Sequence, residues 1–339
     1  MSVNIHEIAE LAGVSIATVS RALNNTGPIR EKTKNKILAI AEAYQYKPNL
    51  IAKSLTTKQT NTIGLILPDL VDEFFMSIIH GIEKEAYNAN RYVLVSSSHS
   101  QRNVVETLLE FMATGRVDGV ILMAPEMDFD ITQMVEKNKK PIVLLNRLKD
   151  HEKLVCFSIN NYQGALSVTE HLAQHGYQKI AIIQGPSGNC DADDRFRGYL
   201  DALKKHHLPF YPQLAITGNF TMRSGYYAFN RLMSQSQKPD AIFASNDMMA
   251  IGAFQAAKSY KLSIPKDIAL AGFDDIFASR LLIPRLTTVH VPINELGTKA
   301  IQYLLKMISG ELDPKFPYFE ELTTGLMIGG SCGCEPVSS

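Results

Sequence analysis

The stretch that decides the N-terminal fold reads Asn4-Ile-His-Glu-Ile-Ala-Glu-Leu-Ala-Gly-Val-Ser-Ile-Ala-Thr-Val-Ser-Arg-Ala-Leu-Asn24. Small and apolar residues recur at helical spacing on both sides of Gly13, and a glycine there permits the left-handed backbone of a tight turn. Ser15 stands where the second helix would begin, and serine is a favoured N-terminal cap. The pattern therefore predicts a helix-turn-helix, whose second helix enters the major groove of DNA.

The two predicted helices have separate inner and outer faces. The inner positions are Ile8, Ala9 and Ala12 on the first helix, and Val14, Val19 and Ala22 on the second. The outward residues of the second helix, with its cap, are the predicted DNA contacts: Ser15, Ile16, Ala17, Thr18, Ser20, Arg21 and Asn24. We expect Arg21 to read a guanine, and Ile16 and Ala17 to meet thymine methyls or groove shape. The hydroxyl and amide side chains should mainly hold phosphates.

A second informative segment reads Tyr46-Lys-Pro-Asn-Leu-Ile-Ala-Lys-Ser-Leu55. Together with Ala12–Asn24 it resembles the lactose-repressor (LacI/GalR) family of bacterial transcription regulators, and the resemblance extends over essentially the whole chain. The resemblance implies a hinge that becomes helical in the minor groove of the operator. In it, Leu55 stands at the position of the leucine that wedges between central base steps, and Lys53 stands where the family often has an arginine. A helix this short is too weak to fold alone, so its folding should be coupled to DNA and dimer contact.

Charge is unevenly distributed along the 339 residues. The whole chain has a formal net charge of +0, but residues 1–60 carry eight Lys and Arg against four Glu, so this part has a net charge of +4. The asymmetry places a polyanion contact at the N-terminus. A third helix of this region is predicted within residues 26–45. Its apolar positions are Ile37, Ile40, Ala41 and Tyr44.

From residue 62 onward, short apolar strands alternate with amphipathic helices, a pattern typical of parallel βαβ sheets. Strands are predicted at 62–68, 92–97, 119–124, 142–146, 179–185, 241–245 and 268–272. The series repeats in two halves, so the predicted fold is an α-helical helix-turn-helix head plus an α/β core of two parallel-sheet subdomains, similar to a periplasmic binding protein. The predicted domains are the helix-turn-helix at 1–47, the hinge helix and linker at 48–61, and the effector-binding and dimerisation core at 62–339. Within the core, the N-subdomain is predicted at about 62–160 and 292–322, and the C-subdomain at about 161–291 and 323–331.

Polar residues follow several of these strands, where ligands bind in open parallel sheets. Candidates for effector contact are Asp69, Asn146, Asn246 and Asp274 at strand ends, with Asn189, Asp191 and Arg195 in the loop and helix after 186. Carboxylates accept from sugar hydroxyls, and an arginine fork donates parallel hydrogen bonds. The same residue types also cap helices, and for Asp247 and Asp275 capping is the favoured interpretation.

The family resemblance points to some of these residues individually. Asp194-Arg-Phe-Arg-Gly-Tyr199 resembles the effector segment and assigns the contact to Arg195, and the segments around Asn246 and Asp274 match two further ones. Phe220 stands where family members often place an aromatic ring against the ligand. Phe74 and Phe75 are candidates for closing the other side of the pocket, with core packing as the alternative. An aromatic ring with Asp, Asn and Arg favours a neutral or weakly charged sugar over a purine.

Three other motifs give weaker indications of function. Gly329-Gly-Ser-Cys-Gly333 matches a nucleophile-elbow string but lacks room for a following helix, so no catalytic constellation and no cofactor are predicted. His171 and His175 have metal-ligand spacing, but a solvated helix face is favoured and no metal site is predicted. Cys332 and Cys334, like the other two cysteines, are expected to be reduced, unpaired thiols.

The sequence thus predicts a transcription regulator of the repressor type that acts as a homodimer on a pseudo-palindromic operator and responds to a small carbohydrate. The residues after 331 show no heptads, which favours a dimer over a tetramer. The opening residues lack a basic start and an apolar run, so a cytoplasmic, non-membrane location is expected. The alternatives are a regulator with a purine-like or other effector, a transport binding protein, and a sugar-processing enzyme.

Overall fold

The computed structural model describes residues 3–25, 27–46, 59–70, 72–97, 104–113, 115–123, 140–146, 154–314 and 316–335. The chain divides into two compact units, Met1–Thr60 and Asn61–Ser339. Among the described residues, no helix is both long enough and apolar enough to cross a membrane.

The N-terminal unit is a three-helix domain of α1 (Ile5–Ala12), α2 (Ile16–Asn24) and α3 (Glu31–Ala43). The predicted turn is confirmed, because Gly13 has φ +67° and Ser15 accepts a hydrogen bond from the backbone N–H of Thr18. Lys36 donates from Nζ to the carbonyl oxygen of Ala12 at 2.9 Å, which ties α3 to the end of α1. The core of the unit is apolar and comprises Ile8, Ala9, Ala12, Val19, Ala22 and Ile37.

Two predicted inner positions of this unit differ from expectation. Tyr44 is 51% exposed, because α3 ends at Ala43 and Tyr44 lies at its C-cap. Tyr46, two residues further on, packs against the apolar core instead. Val14 is only partly buried, since it lies in the turn before α2.

The second unit contains two six-stranded sheets. The strands of the first sheet are β1 (Thr62–Leu67), β2 (Tyr92–Ser97), β3 (Gly119–Met123), β4 (Ile142–Leu145), β5 (Val155–Ile159) and β11 (Tyr318–Leu322). Their order is β11-β5-β4-β3-β1-β2, and every described pairing is parallel. The strands of the second sheet are β6 (Ile180–Gln184), β7 (Ala215–Thr217), β8 (Ala241–Ala244), β9 (Ala269–Asp274), β10 (Thr287–His290) and β12 (Gly325–Met327). Their order is β12-β10-β9-β8-β6-β7, and of the described pairings only β10–β12 is antiparallel.

Helices connect and cover these strands, as the βαβ pattern predicts. They are α4 (Glu73–Asn88), α5 (Val104–Ala113), α6 (Asn161–Gln174), α7 (Cys190–Lys205), α8 (Met222–Met233), α9 (Asp247–Ser259), α10 (Phe277–Arg280) and α11 (Ile293–Ser309). The chain passes between the sheets three times: from β5 to α6, from β10 to α11, and from β11 to β12. Two of these passages touch, because the backbone N–H of Asn160 donates to the carbonyl oxygen of Leu322 at 3.0 Å.

Every strand predicted from the sequence is present, but β5, β7, β10, β11 and β12 escaped prediction. Strands β7 and β12 have three residues each, which is too short for an apolar run to stand out. Strand β11 contains Glu320 and Glu321 and lies at the edge of its sheet, where side chains remain partly exposed.

Helices α8 and α9 pack closely because each contributes a glycine to their contact. A Cβ at Gly252 would overlap the carbonyl oxygen of Met222, and a Cβ at Gly225 would overlap that of Met249. The backbone is the obstacle in both cases, so a larger residue would have to separate the two helices.

We therefore expect Gly252→Ala to lower the free energy of unfolding by about 1–3 kcal/mol, the usual cost of overpacking. Urea unfolding followed by circular dichroism measures the change. Gly325→Ala is the matched control, because a Cβ there meets nothing within 4 Å, and its effect should stay within about 0.5 kcal/mol. Equal effects of the two substitutions would contradict the close packing.

Candidate DNA-binding surface and effector site

The N-terminal unit presents the predicted reading residues of α2 to solvent. Ile16, a large apolar residue, is 39% exposed, and Ala17 and Arg21 are also exposed. The hydroxyls of Ser15 and Thr18 lie 2.9 Å apart at the start of the helix. An exposed apolar side chain beside an exposed arginine on a capped helix suits contact with base edges.

The remaining predicted DNA contacts are either half-buried or outside the described residues. Asn24 donates from Nδ2 to the carbonyl oxygen of Ser20 at 2.9 Å, so this amide partly serves to brace the end of α2. Ser20 and Asn24 are half-buried. Lys53 and Leu55 lie outside the described residues.

In the second unit, several predicted effector residues converge on the guanidinium of Arg195. This side chain is 4% exposed, and its Nε donates to Oδ1 of Asn161 at 2.8 Å. Its Nη1 donates to the carbonyl oxygen of Ser245, and its Nη2 lies 3.6 Å from Oδ1 of Asp274. The last distance is too long for a hydrogen bond, so the contact is an ion pair only. The guanidinium also lies 3.9 Å from the centre of the Phe273 ring, within the range of a cation–π contact.

Asp191 connects this group to the first sheet. Its Oδ2 accepts from Asn146 at 3.2 Å, and its Oδ1 accepts from Asn161 at 2.8 Å. Asn146 follows β4 of the first sheet, whereas Asp191 and Arg195 lie on α7, which follows β6 of the second sheet. We call Asn146, Asn161, Asp191, Arg195 and Asp274 the arginine cluster. All five side chains are buried, and together they join the carboxyl ends of strands from both sheets.

Three buried polar atoms at this site have no hydrogen-bond partner among the described residues: Asn146 Oδ1, Ser245 Oγ and Asp274 Oδ1. Buried polar atoms normally have partners, so each of these is a candidate for contact with a ligand. The backbone is also unusual here. Asn146, Phe220 and Asp274 have φ values of +49°, +63° and +114°, a region that costs non-glycine residues about 1–3 kcal/mol, and three such residues lie together at this site.

Two of the predicted effector residues cap helices. Asn189 accepts from the backbone N–H of Ala192 at the start of α7, and Asn246 accepts from that of Met249 at the start of α9. Asn246 also donates from Nδ2 to the carbonyl oxygen of Phe220 at 3.0 Å, so both ends of its amide are engaged within the protein. The structure thus gives each of them a role in holding the site together.

Of the three aromatic residues predicted to contact the effector, one lies beside the arginine cluster and two pack in or against the apolar core. Phe220 is half-buried with its ring centre 5.8 Å from the Arg195 guanidinium, so it lies next to the cluster. Phe74 is buried in the apolar core of α4, and Phe75 is partly buried against the same core. Asp69 follows β1 and accepts from the backbone N–H of Leu70 at 2.6 Å.

The interpretation of Asp247 and Asp275 as helix caps is wrong. Asn246 is the cap of α9, whereas Asp247 accepts from the Thr288 hydroxyl at 2.6 Å and from the backbone N–H of Ile276 at 3.0 Å. Asp275 pairs with Arg280 and with His290, each at 2.9 Å. Both aspartates therefore tie the loop after β9 to its neighbours.

Burial controls the electrostatics of the cluster. It raises the pKa of Asp191 to about 6, although the nearby Arg195 acts in the opposite direction. Burial also raises the pKa of Asp274 well above its usual value and raises that of Asp72, which lies close enough to repel Asp274. Arg195 thus interacts with two carboxyl groups, those of Asp191 and Asp274, and burial favours the uncharged acid form of both.

A cleft of about 660 Å³ opens beside Asp274, between α4, the loop after β9 and the start of α11. Its polar lining residues are Glu73, Ser77, Asp274, Asp275, Arg280, His290, Asn294, Glu295 and Thr298. Glu73 bridges its two sides, because its carboxylate accepts from the backbone N–H groups of Phe277 and Ala278. The volume lies in the range of small-molecule sites.

The sequence analysis did not predict two features of this unit. Asn161 links Asp191 to Arg195, and its position at the predicted boundary between the two subdomains was the only indication of a role in the sequence. The expectation of a solvated helix face for His171 and His175 also took no account of Cys332 and Cys334, which the fold brings beside them. These residues are about 160 positions apart in the chain, and no spacing rule connects them.

Comparison with known proteins agrees with this architecture. Residues 4–49 match the family described as "Bacterial regulatory proteins, lacI family", and residues 60–328 match "Periplasmic binding proteins and sugar binding domain of LacI family". The chain is 38% identical over 312 residues to the "Probable HTH-type transcriptional repressor ExuR" of Bacillus subtilis (strain 168), covering 91% of this chain and 92% of that protein.

Two solved structures have folds similar to that of this chain. The lac repressor dimer bound to operator and the anti-inducer ONPF is 28% identical, with a TM-score of 0.86 and coverage of 98% of this chain and 99% of that one. The transcriptional regulator CelR in complex with cellobiose is 26% identical, with a TM-score of 0.74 and coverage of 97% and 99%. A helix-turn-helix unit followed by a two-sheet binding core defines a ligand-responsive DNA-binding regulator. The chain belongs to the LacI family of bacterial transcription regulators, and its relatives are repressors rather than enzymes.

The buried carboxyl group of Asp247 generates a pH-dependent prediction. Burial raises its pKa from 3.8 to about 7, so its contribution to stability is present below about pH 4 and is lost as the pH rises through 7. Asn at this position has no charge to bury. Relative to Asp247→Asn, the wild type should therefore lose about 2–4 kcal/mol of unfolding free energy between pH 4 and pH 8. Urea unfolding of both proteins across this range measures the difference, and a pH-independent difference would contradict the raised pKa.

Proposed function

We propose that this chain is a homodimeric repressor whose operator binding is controlled by a neutral carbohydrate held at the arginine cluster. The observation that carries this proposal is the buried contact of Asn146 and Asp191 between the two sheets, beside three polar atoms that have no hydrogen-bond partner in the described part of the chain. A ligand that satisfies those atoms would favour one relative position of the sheets over another. Differential affinity of this kind is what a ligand needs to shift a conformational equilibrium.

The chemistry of the cluster favours a polyhydroxylated, uncharged ligand. Each unpartnered atom on Asn146 and Asp274 is an acceptor, and sugar hydroxyls are donors that fit it. The guanidinium of Arg195 is already engaged by Asn161, the Ser245 carbonyl oxygen and Asp274, which leaves it little capacity to pair with a sugar acid or a phosphate. Phe220 offers an apolar ring at the edge of the cluster. The structural neighbour CelR holds cellobiose, which supports the same ligand class.

Homodimer formation is supported by exposed apolar side chains on the second unit. Phe277, Leu281 and Ile283 are 62%, 66% and 87% exposed and lie within seven residues of one another. Apolar surface of this kind usually marks an interface. The lac repressor, the structural neighbour with a TM-score of 0.86, is a dimer on its operator. Two copies of α2 would then read the two halves of an inverted repeat.

The role of Arg195 is tested with a panel of neutral mono- and disaccharides, hexuronates and purine nucleosides, scored by the shift in melting temperature. We expect only neutral sugars to stabilise the wild type, since ligand bound to the native state raises its melting temperature. Arg195→Met keeps much of the side-chain volume but removes the donors, and it should abolish the shift while leaving operator binding measurable.

Arg197→Met is the matched control, because Arg197 lies on the same helix with its side chain 62% exposed. It should keep the full melting-temperature shift. A response confined to purine nucleosides or hexuronates would overturn the carbohydrate assignment. A normal shift in Arg195→Met would show that the ligand binds elsewhere.

DNA reading is tested by selecting bound duplexes from a random pool with the wild type, Arg21→Ala and Leu55→Ala. The wild type should enrich an inverted repeat with a flexible pyrimidine–purine step at its centre. Arg21→Ala should cost about 1–3 kcal/mol and relax the base preference at one position in each half-site. Leu55→Ala should weaken binding to sites with the central step. A single, unrepeated motif would contradict the dimer, and an unchanged motif in Arg21→Ala would remove that residue from base reading.

A further inference from the structure

A second group of chemically reactive side chains lies outside the arginine cluster, where the end of α6 meets the C-terminal turn at Gly330–Cys332. It consists of His171, His175, Cys332 and Cys334, hereafter the cysteine–histidine cluster. Its four candidate ligand atoms all lie within 4.8 Å of one another. None of these residues takes part in the DNA surface or the proposed effector site.

The separations of these atoms match the edges of a metal tetrahedron. Nε2 of His171 lies 3.2 Å from Sγ of Cys332 and 3.7 Å from Sγ of Cys334, and Nε2 of His175 lies 3.1 Å from Sγ of Cys334. For Zn–S bonds of ~2.3 Å and Zn–N bonds of ~2.0–2.1 Å, a tetrahedron has nitrogen–sulfur edges of about 3.6 Å. The observed distances lie on both sides of this value by a few tenths of an ångström, which rotamer adjustments can absorb.

The protein holds the ligands in place through its own contacts. His171 lies in the last turn of α6 and His175 is the C-cap four residues later, so their rings share one face, with ring centres 4.6 Å apart. The C-terminal turn is fixed to the second sheet by Ser331, whose hydroxyl accepts from the backbone N–H of Thr287 at 2.8 Å and donates to the carbonyl oxygen of Leu270 at 2.6 Å. Tyr177 donates from its hydroxyl to the backbone carbonyl oxygen of Cys332 at 3.0 Å.

Outer contacts and burial also suit a metal site. The Thr287 hydroxyl lies 3.0 Å from Sγ of Cys332, where it can donate to a thiolate, as outer-shell groups of metal sites commonly do. Cys332 is fully buried, whereas His175 is exposed. The cluster therefore has one buried anchor and one side open for an ion to enter.

We propose that the cysteine–histidine cluster binds one Zn²⁺ ion per chain. Two thiolates and two imidazoles are a ligand set that selects zinc over the oxygen-preferring Mg²⁺ and Ca²⁺. Binding replaces the protons of the two thiols, which pass to solvent, and leaves both histidines neutral, so no oxidant is needed. Because four protein ligands fill a tetrahedron, the ion would be structural rather than catalytic.

The consequence of zinc binding follows from the elements it joins. The ion would fasten the C-terminal turn to α6, whose first residue, Asn161, contacts Asp191 and Arg195 of the arginine cluster. Zinc should thus stabilise the second unit, because it binds the folded arrangement and not the dispersed ligands of the unfolded chain.

The test uses the full chain purified with a non-thiol reductant, loaded with Zn²⁺ or Co²⁺ and freed of excess metal. We expect one equivalent of zinc by mass spectrometry. The Co²⁺ form should show the intense visible bands of a tetrahedral site and a near-ultraviolet thiolate-to-metal charge-transfer band. His175→Gln, at an exposed position, should weaken binding by more than about tenfold, since even outer-shell changes cost 10–100-fold. Cys334→Ser should weaken it and reduce the charge-transfer band.

His207→Asn is the matched control, because His207 is an exposed histidine outside the cluster with a φ of +55° that asparagine tolerates. It should bind metal as the wild type does. Less than one equivalent of zinc in the wild type, or equal zinc affinities of the wild type and His175→Gln in a chelator competition, would overturn the proposal. So would Co²⁺ spectra without thiolate bands, or thiol titration showing Cys332 and Cys334 joined as a disulfide under these conditions.

Discussion

The guanidinium of Arg195 sits where the two halves of the binding core meet, and the geometry of the site depends on it. It reaches α6 through Asn161, the end of β8 through the carbonyl oxygen of Ser245, and β9 through Asp274. A buried charge of this kind is costly unless acceptors surround it, and its ion pair with Asp274 is too long to repay the cost alone. The amide, the carbonyl oxygen and the Phe273 ring supply the rest. Removing the guanidinium would leave Asp191 and Asp274 without their cation.

The parallel sheets explain why these groups meet. Strands β8 and β9 are neighbours in the second sheet, where Ser245 follows β8 and Asp274 ends β9, and Asn146 follows β4 of the first sheet. Helix caps then fix the loops that follow, as Asn189 does for α7 and Asn246 for α9. The cost of the unfavourable φ values at Asn146 and Asp274 is carried by the buried strands that precede them. The core thus provides a rigid frame on each side of a contact that a ligand can strengthen or weaken.

Most of the architecture and part of the effector site could be predicted from the sequence. Periodicity located the helices and the long central strands, because buried apolar runs leave a clear pattern, but it missed β11, whose glutamates lie at a sheet edge. Arg195 and Asp274 were found through a motif and a strand end. Asn161 was not, because its role depends on packing between elements that no local pattern reveals. The same holds for the cysteine–histidine cluster, which the fold assembles from residues about 160 positions apart. Asp247 was misassigned because Asn246, one residue earlier, occupies the cap.

The central claim is that ligand at the arginine cluster and operator at the N-terminal unit are energetically coupled. The most direct measurement is a thermodynamic cycle with the neutral sugar that gives the largest melting-temperature shift. Operator affinity is measured with and without the sugar, and sugar affinity with and without the operator. Coupling requires that the two ratios be equal, typically 5–150-fold. A sugar that binds free and operator-bound protein with the same affinity would contradict the claim, because such a ligand cannot shift the equilibrium however tightly it binds.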